Sequence, residues 1–205
     1  MFSLHKTLLG KSLLAGVIWM TLLGATGYAT LSEQSARLES LRKAIELKPN
    51  DLKLESEYLN DFPSSYKSFT DVFYGQGDQF DELYSVYLQH MQLLDRLDKK
   101  FPKKVKAIWY GVAEGGPWDA DALGELQQQL AQFGANNTRE FAEDLANKPA
   151  KDRLKIIDFL NGGVENYDAY PEYATILKNF HSLGFSELYR QFKTAKEKRI
   201  SNDKG

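Results

Sequence analysis

The apolar residues of this chain recur at intervals of three and four positions from Leu31 onward and almost nowhere alternate strictly. This spacing places them on one side of an α-helix, whereas a half-buried strand would need strict alternation. Glycine, proline and capping side chains interrupt the pattern repeatedly, and each interruption predicts the end of one helix and the start of another. The chain is therefore predicted to be all α.

The interruptions divide the chain into about ten short to medium helices joined by short loops. We expect the longest, of about 20 residues and capped by Asp78, to form the centre of the core. Pro117 is predicted to start another helix and Gly134 to end it. No linker separates two domains, so we expect one domain at residues 30–200, built as an irregular bundle or as stacked helix pairs, and a disordered tail at 201–205.

One short run bears on the choice between these two architectures. The sequence AIELKPND at residues 44–51 resembles the end of a tetratricopeptide repeat, whose second helix closes on a similar run. The resemblance covers these eight residues only, since no 34-residue period follows. It does not assign the chain to that family.

The N-terminal segment differs in composition from the rest of the chain. Before Glu33 its only charged side chains are Lys6 and Lys11, and Leu13–Leu23 has the length of a signal-peptide apolar region. Small residues precede Thr30, so a cleaved export signal at residues 1–29 is the favoured interpretation. The alternative is an uncleaved inner-membrane anchor that retains residues 12–32. Both send the remainder across the membrane.

Composition narrows the compartment and the partners. The chain has no cysteine, which excludes disulfides, thiolate metal sites and a cysteine nucleophile. An exported domain without disulfides is more typical of a bacterial periplasm than of eukaryotic secretion. Removal of residues 1–29 would change the net charge from −2 to −4, which argues against a nucleic-acid partner. We predict a periplasmic protein that contacts membrane only through its N-terminal segment.

Histidine is the remaining common metal ligand and general base. His90 and His181 are the two that would survive signal removal, and neither lies in a metal-ligand spacing such as HExxH. Structural roles are the favoured interpretation for both. We therefore predict no metal and no cofactor.

The stretch AIWYGVAEGGPWDADAL, residues 107–123, is the first candidate site. Glu114, Asp119 and Asp121 could supply the carboxylates of a glycosidase, with Trp118 as a platform for sugar. Local structure offers another explanation, because glycines end a helix, Pro117 starts the next, and the aspartates sit in its first turn near the helix dipole. This second interpretation is favoured, and it leaves Trp118 as a candidate protein contact.

The loop GGVENYDAYPEY, residues 162–173, is the second candidate site. It carries Tyr167, Asp168 and Tyr170 among other acidic and aromatic residues. Tyrosine-rich polar loops are effective contact surfaces, because each ring offers large area at small entropic cost. The alternative is that the tyrosines fold back onto the core, and the sequence leaves both open.

Three functions are compatible with these features. The leading expectation is a non-catalytic periplasmic binding protein, specifically an immunity protein that neutralises an envelope-targeted bacterial toxin. The first alternative is a peptidoglycan hydrolase that uses Glu114 with Asp119 or Asp121. The second is a helical scaffold or chaperone-like adaptor, which would present a long concave face to many partners.

Overall fold

The structure is a computed structural model that describes residues 26–75, 82–164 and 169–202. The described residues contain ten α-helices, one 3₁₀ helix at Glu82–Val86 and no strand, which confirms the all-α prediction. The helices are α1 (Thr26–Leu47), α2 (Leu52–Asp61), α3 (Tyr66–Phe73), α4 (Tyr87–Asp98), α5 (Pro102–Ala113), α6 (Asp121–Asn136), α7 (Thr138–Ala146), α8 (Ala150–Asn161), α9 (Pro171–Ser182) and α10 (Ser186–Asn202).

Local capping chemistry explains several helix starts. The Asp51 carboxylate accepts the backbone N–H groups of Lys53 and Leu54 at the start of α2. At α3, Ser65 and Ser68 form a reciprocal capping box. Each cap satisfies backbone donors that have no partner within the helix, so these starts were readable from sequence.

The centre of the bundle is α6, which packs against α4, α5, α7, α8 and α9. A helix enclosed in this way indicates an irregular bundle, because in stacked repeats each unit contacts only its neighbours. The expectation of a long central helix beginning near Asp78 was wrong for its described part. The chain there forms the 3₁₀ helix and then the 12-residue α4, while Asp78 itself lies outside the described residues.

Gly134 does not end α6, which continues to Asn136. A Cβ at Gly134 would lie 3.0 Å from the Phe141 ring and 3.1 Å from the Ile176 side chain. The glycine therefore allows α7 and α9 to approach α6 closely, a packing role that single-helix patterns do not reveal.

A buried polar network attaches α1 to α2 and α4. His90 is fully buried, with Nδ1 2.9 Å from the Tyr58 hydroxyl and Nε2 3.1 Å from a Glu39 carboxylate oxygen. Arg42 binds the Glu39 carboxylate through two nitrogens at 2.7 Å each, and its guanidinium lowers the pKa of Glu39 to about 2. Burial lowers the pKa of His90 to about 4. The imidazole is thus neutral and structural near pH 7, with Tyr58 donating to Nδ1.

The described part of the chain begins in α1 at Thr26 and ends in α10 at Asn202, so the domain limits predicted at residues 30 and 200 are untested. Residues 1–25, which carry most of the proposed signal or anchor, and residues 203–205 lie outside the described part. None of the helices described has both the length and the apolar composition needed to cross a bilayer.

Candidate functional site

The start of α6 differs from the sequence-based expectation. Pro117 does not begin the helix: residues 117–120 form an irregular connection, and α6 begins at Asp121. Asp119 therefore precedes the helix, and its carboxylate accepts the N–H of Ala120 at 2.8 Å. Asp121 has a φ of 56°, a left-handed backbone conformation that aspartate tolerates better than most residues. Such backbone conformations are concentrated at functional sites.

Two tyrosines from distant parts of the chain hold this helix start. The Tyr74 hydroxyl donates to the carbonyl of Ala120 at 2.5 Å and accepts the N–H of Leu123 at 3.1 Å, so it acts as the missing cap. The Tyr84 hydroxyl donates to the Asp121 carboxylate at 2.7 Å, which raises the pKa of Tyr84. The unusual backbone is thus supported by the side chain that follows α3 and by one from the 3₁₀ helix.

Trp118 lies against the glycine pair that follows α8. A Cβ at Gly162 would lie 2.3 Å from the Trp118 Cβ, and a Cβ at Gly163 would lie 2.3 Å from two carbons of the indole ring. Only glycine permits this approach, and Gly163 also has a positive φ of 64°. Trp118 is half-buried, and its indole nitrogen is buried with no acceptor among the described residues. The two candidate loops are therefore in direct contact.

Gln127 holds the second loop against α6. Its side-chain amide nitrogen lies 2.8 Å from the carbonyl of Phe159, 2.9 Å from that of Leu160 and 2.7 Å from that of Gly162. These carbonyls lie at the C-terminal end of α8 and in the residue that follows it; that of Phe159 also accepts the N–H of Gly162, and that of Leu160 also accepts the Tyr173 hydroxyl. One buried amide thus fixes the position of the glycine pair beneath Trp118.

A groove opens where these parts meet, with a volume of about 270 Å³. We call it the acidic groove. Its three carboxylates and its aromatic walls come from α4, α6, α9 and the two candidate loops, and no lysine or arginine lines it within the described residues. The residues that define it are Tyr87, Trp118, Asp121, Glu125, Tyr170 and Glu172.

The structure brings together only some of the predicted site residues. Trp118, Asp121 and Tyr170 line the acidic groove, whereas Glu114 does not. Glu114 caps the end of α5 and pairs with Lys148 at 2.5 Å. Asp119 is exposed and bonds to its own loop. Tyr167 and Asp168 lie outside the described residues, so their prediction is untested.

Sequence reasoning missed three members of the groove's defining set. Tyr87 falls within the long helix predicted to begin at Asp78, where the structure has a 3₁₀ segment first and then α4. Glu125 sits one helical turn after Asp121, a spacing that places the two carboxylates on the same side of α6. Glu172 lies in the stretch 162–173, in which the sequence gives no one acidic residue a particular role. Of these three residues, only Glu125 had a signal in the sequence, namely its four-residue spacing from Asp121.

A second cavity, of about 520 Å³, lies on the other side of Trp118. Its charged residues are mixed in sign: Glu114 and Asp158 face it together with Lys155 and Arg199. Trp118 and Gly163 line both cavities. No group of three or more acidic or histidine side chains in the described regions is placed to hold a metal ion.

Fold and site together define an all-helical bundle protein with an acidic, aromatic groove between inter-helix loops. Neither a protein-family model, nor a curated protein, nor a solved structure matches this chain.

Proposed function

We propose that this chain is a non-catalytic protein-binding protein of the bacterial periplasm and that it holds its partner in the acidic groove. The observation that carries the proposal is that two candidate loops meet at one cavity, although their nearest residues, Leu123 and Gly162, are 39 positions apart in sequence. Tyrosine and tryptophan are enriched where proteins bind one another, and both line this groove.

The specific form we propose is an immunity protein that neutralises an envelope-targeted toxin. It is supported by the predicted export signal, the acidic charge of residues 30–205 and the absence of cysteine in the sequence. Immunity requires tight binding to a single partner, and a groove of one charge sign favours rapid association with an oppositely charged surface.

The placement of the carboxylates favours binding over the hydrolase alternative. Glycoside hydrolysis needs two carboxyl groups that flank one scissile bond. Glu114 faces the mixed-charge cavity and pairs with Lys148, whereas Asp121 lines the acidic groove and accepts a hydrogen bond from Tyr84. Glu114 and Asp121 therefore line different cavities, which does not suit a pair of carboxyl groups that act on one bond.

The bundle architecture favours a single-partner binder over an adaptor. An adaptor built from stacked helices would present an extended concave surface. Here α6 is enclosed by five other helices, and the acidic groove is a local cavity of about 270 Å³.

The test is affinity capture from the envelope of the producing cells. The full-length reading frame is expressed with a C-terminal tag, and captured proteins are quantified for the native chain and for Glu125→Gln/Glu172→Gln, which neutralises two groove carboxylates. Glu114→Gln is the matched control outside the groove. We expect one stoichiometric protein with the native chain and the control, and its loss with the groove variant. Absence of any captured partner would overturn the proposal, and release of muropeptides by the purified protein would favour the hydrolase in its place.

A further inference from the structure

The charge on the walls of the acidic groove has one sign. Asp121, Glu125 and Glu172 line it, and within the described part of the chain no cationic side chain does. Burial raises the pKa of the Tyr87 hydroxyl, and the negative charges of Asp121 and Glu125 raise it further, so both carboxylates lie near this ring. A cavity with several carboxylates and no lysine or arginine favours a cationic group.

The aromatic walls favour one kind of cation. Trp118, Tyr87 and Tyr170 line the cavity together with the carboxylates, and Tyr170 is 41% exposed. A guanidinium is planar, so it can stack on a ring and also pair with a carboxylate through two nitrogens, whereas an ammonium is a strongly hydrated point charge. The combination of rings and carboxylates therefore suits arginine better than lysine.

The size of the cavity limits what can enter. At about 270 Å³ it lies just below the roughly 300–1,000 Å³ that is usual for small-molecule sites. It therefore has room for one long side chain rather than for a folded ligand.

The indole N–H of Trp118 indicates that the side chain in the groove belongs to a peptide. The nitrogen is buried, no described residue accepts from it, and Gly124 of the groove wall lies beside it. A backbone carbonyl is an acceptor that every residue of a protein partner carries. An arginine within a peptide chain would bring both the cation and an acceptor to the groove, and because the nitrogen is buried, its bond to that acceptor requires the Trp118 side chain to move.

We propose that the acidic groove binds an arginine side chain of the partner protein, held by the groove carboxylates and stacked on its aromatic walls. This inference rests on the proposed function, since it names the chemistry by which the same groove recognises its partner.

The test uses a short probe peptide and the native chain in solution. N-acetyl-Gly-Arg-Gly-amide is titrated while the indole N–H resonance of Trp118 is followed. The indole N–H of Trp109 is the internal control, because it is buried and donates to Gln129 at 3.2 Å. The same peptide with citrulline, which is neutral and has nearly the same shape, and with lysine gives the comparison.

We expect the arginine peptide to shift the Trp118 resonance and leave that of Trp109 unchanged. Citrulline should bind about tenfold more weakly and lysine about threefold more weakly, since each loses a charge pair or a stacking contact. Glu125→Gln/Glu172→Gln should weaken arginine binding, and Glu114→Gln should not. Equal binding of citrulline and arginine, or equal weakening by both sets of variants, would overturn the inference.

These results separate the inference from the proposed function. A captured partner that depends on the groove, combined with no preference for arginine over citrulline, would overturn the inference alone. Arginine binding that meets all the criteria, combined with failure to capture any partner, would overturn the proposed function and leave the groove chemistry standing.

Discussion

Substitution of Gly163 by alanine tests the contact that joins the two candidate loops. An alanine at this position has to adopt a φ of 64°, and its Cβ would come within 2.3 Å of the Trp118 ring. Gly184 is a matched control, because its φ of 82° imposes the same backbone problem while nothing lies within 4 Å of the added Cβ. The difference between the two variants isolates the packing of Trp118.

The expected magnitudes follow from two separate costs. An alanine in the left-handed backbone conformation costs about 1–2 kcal/mol relative to glycine. Alanine also reduces the conformational entropy of the unfolded chain, which offsets about 0.5 kcal/mol of that cost. Gly184→Ala should therefore lower the free energy of unfolding by about 1 kcal/mol. Gly163→Ala adds an overpacking cost of about 1–3 kcal/mol, for a total of about 2–4 kcal/mol.

The assay is urea unfolding followed by far-ultraviolet circular dichroism, which does not depend on tryptophan fluorescence. The same pair of alanines is also measured in a Trp118→Ala background. There the overpacking disappears, and Gly163→Ala should cost about as much as Gly184→Ala, about 1 kcal/mol. If Gly163→Ala costs no more than Gly184→Ala in the native background, Trp118 does not lie on the glycine pair and the reasoning fails.

Three further predictions concern the elements that position the groove. Acid should weaken the fold. His90 has a pKa of about 4 in the folded protein and 6.5 in the unfolded chain, so between these values only the unfolded chain takes up a proton. About 2 kcal/mol of the free energy of unfolding is therefore lost between about pH 7 and pH 5. Urea titrations at both pH values measure this. Gln127→Leu leaves the Gly162 carbonyl without its donor, whereas the carbonyls of Phe159 and Leu160 keep the Gly162 N–H and the Tyr173 hydroxyl, and it should cost about 1–3 kcal/mol by the same assay. Tyr74→Phe removes the cap of α6 and should cost about 1 kcal/mol, with faster amide exchange at Leu123.

Each of these has a control. His90→Gln should lower stability at both pH values while flattening the dependence between them, and an unchanged slope would show that another group titrates. Gln128→Leu alters an exposed neighbour of Gln127 and should change stability by less than about 0.5 kcal/mol. Tyr189→Phe removes the hydroxyl of a half-buried tyrosine on α10 and should leave amide exchange at Leu123 unchanged.

The helices could be predicted from sequence because their boundaries depend on near neighbours. Asp51 caps a helix through N–H groups two and three residues away, and Ser65 does so through Ser68. The prediction for Pro117 was wrong because the cap of α6 is Tyr74, which lies 49 residues from the N–H it accepts. Local patterns contain no information about such a partner.

The groove was only partly predictable for the same reason. Trp118 stood out because local structure did not require it, and Tyr170 because its loop is rich in tyrosine, but their meeting depends on Gln127, which reaches a carbonyl 35 residues away. The glycine pair at 162–163 follows the end of α8, in line with the general prediction that glycines interrupt the helices. Its second role, as the surface on which Trp118 rests, depends on the three-dimensional approach of two loops. Half-buried Trp118 is accordingly both part of a junction and part of a groove wall.

The central claim is that the acidic groove is the surface by which this protein binds another protein. The most direct measurement is the dissociation constant of the captured partner for the native chain, for Glu125→Gln/Glu172→Gln and for Glu114→Gln at equal ionic strength. We predict about 10- to 100-fold weaker binding for the groove variant and a change of less than about twofold for Glu114→Gln. Equal affinity of the native chain and the groove variant would contradict the claim.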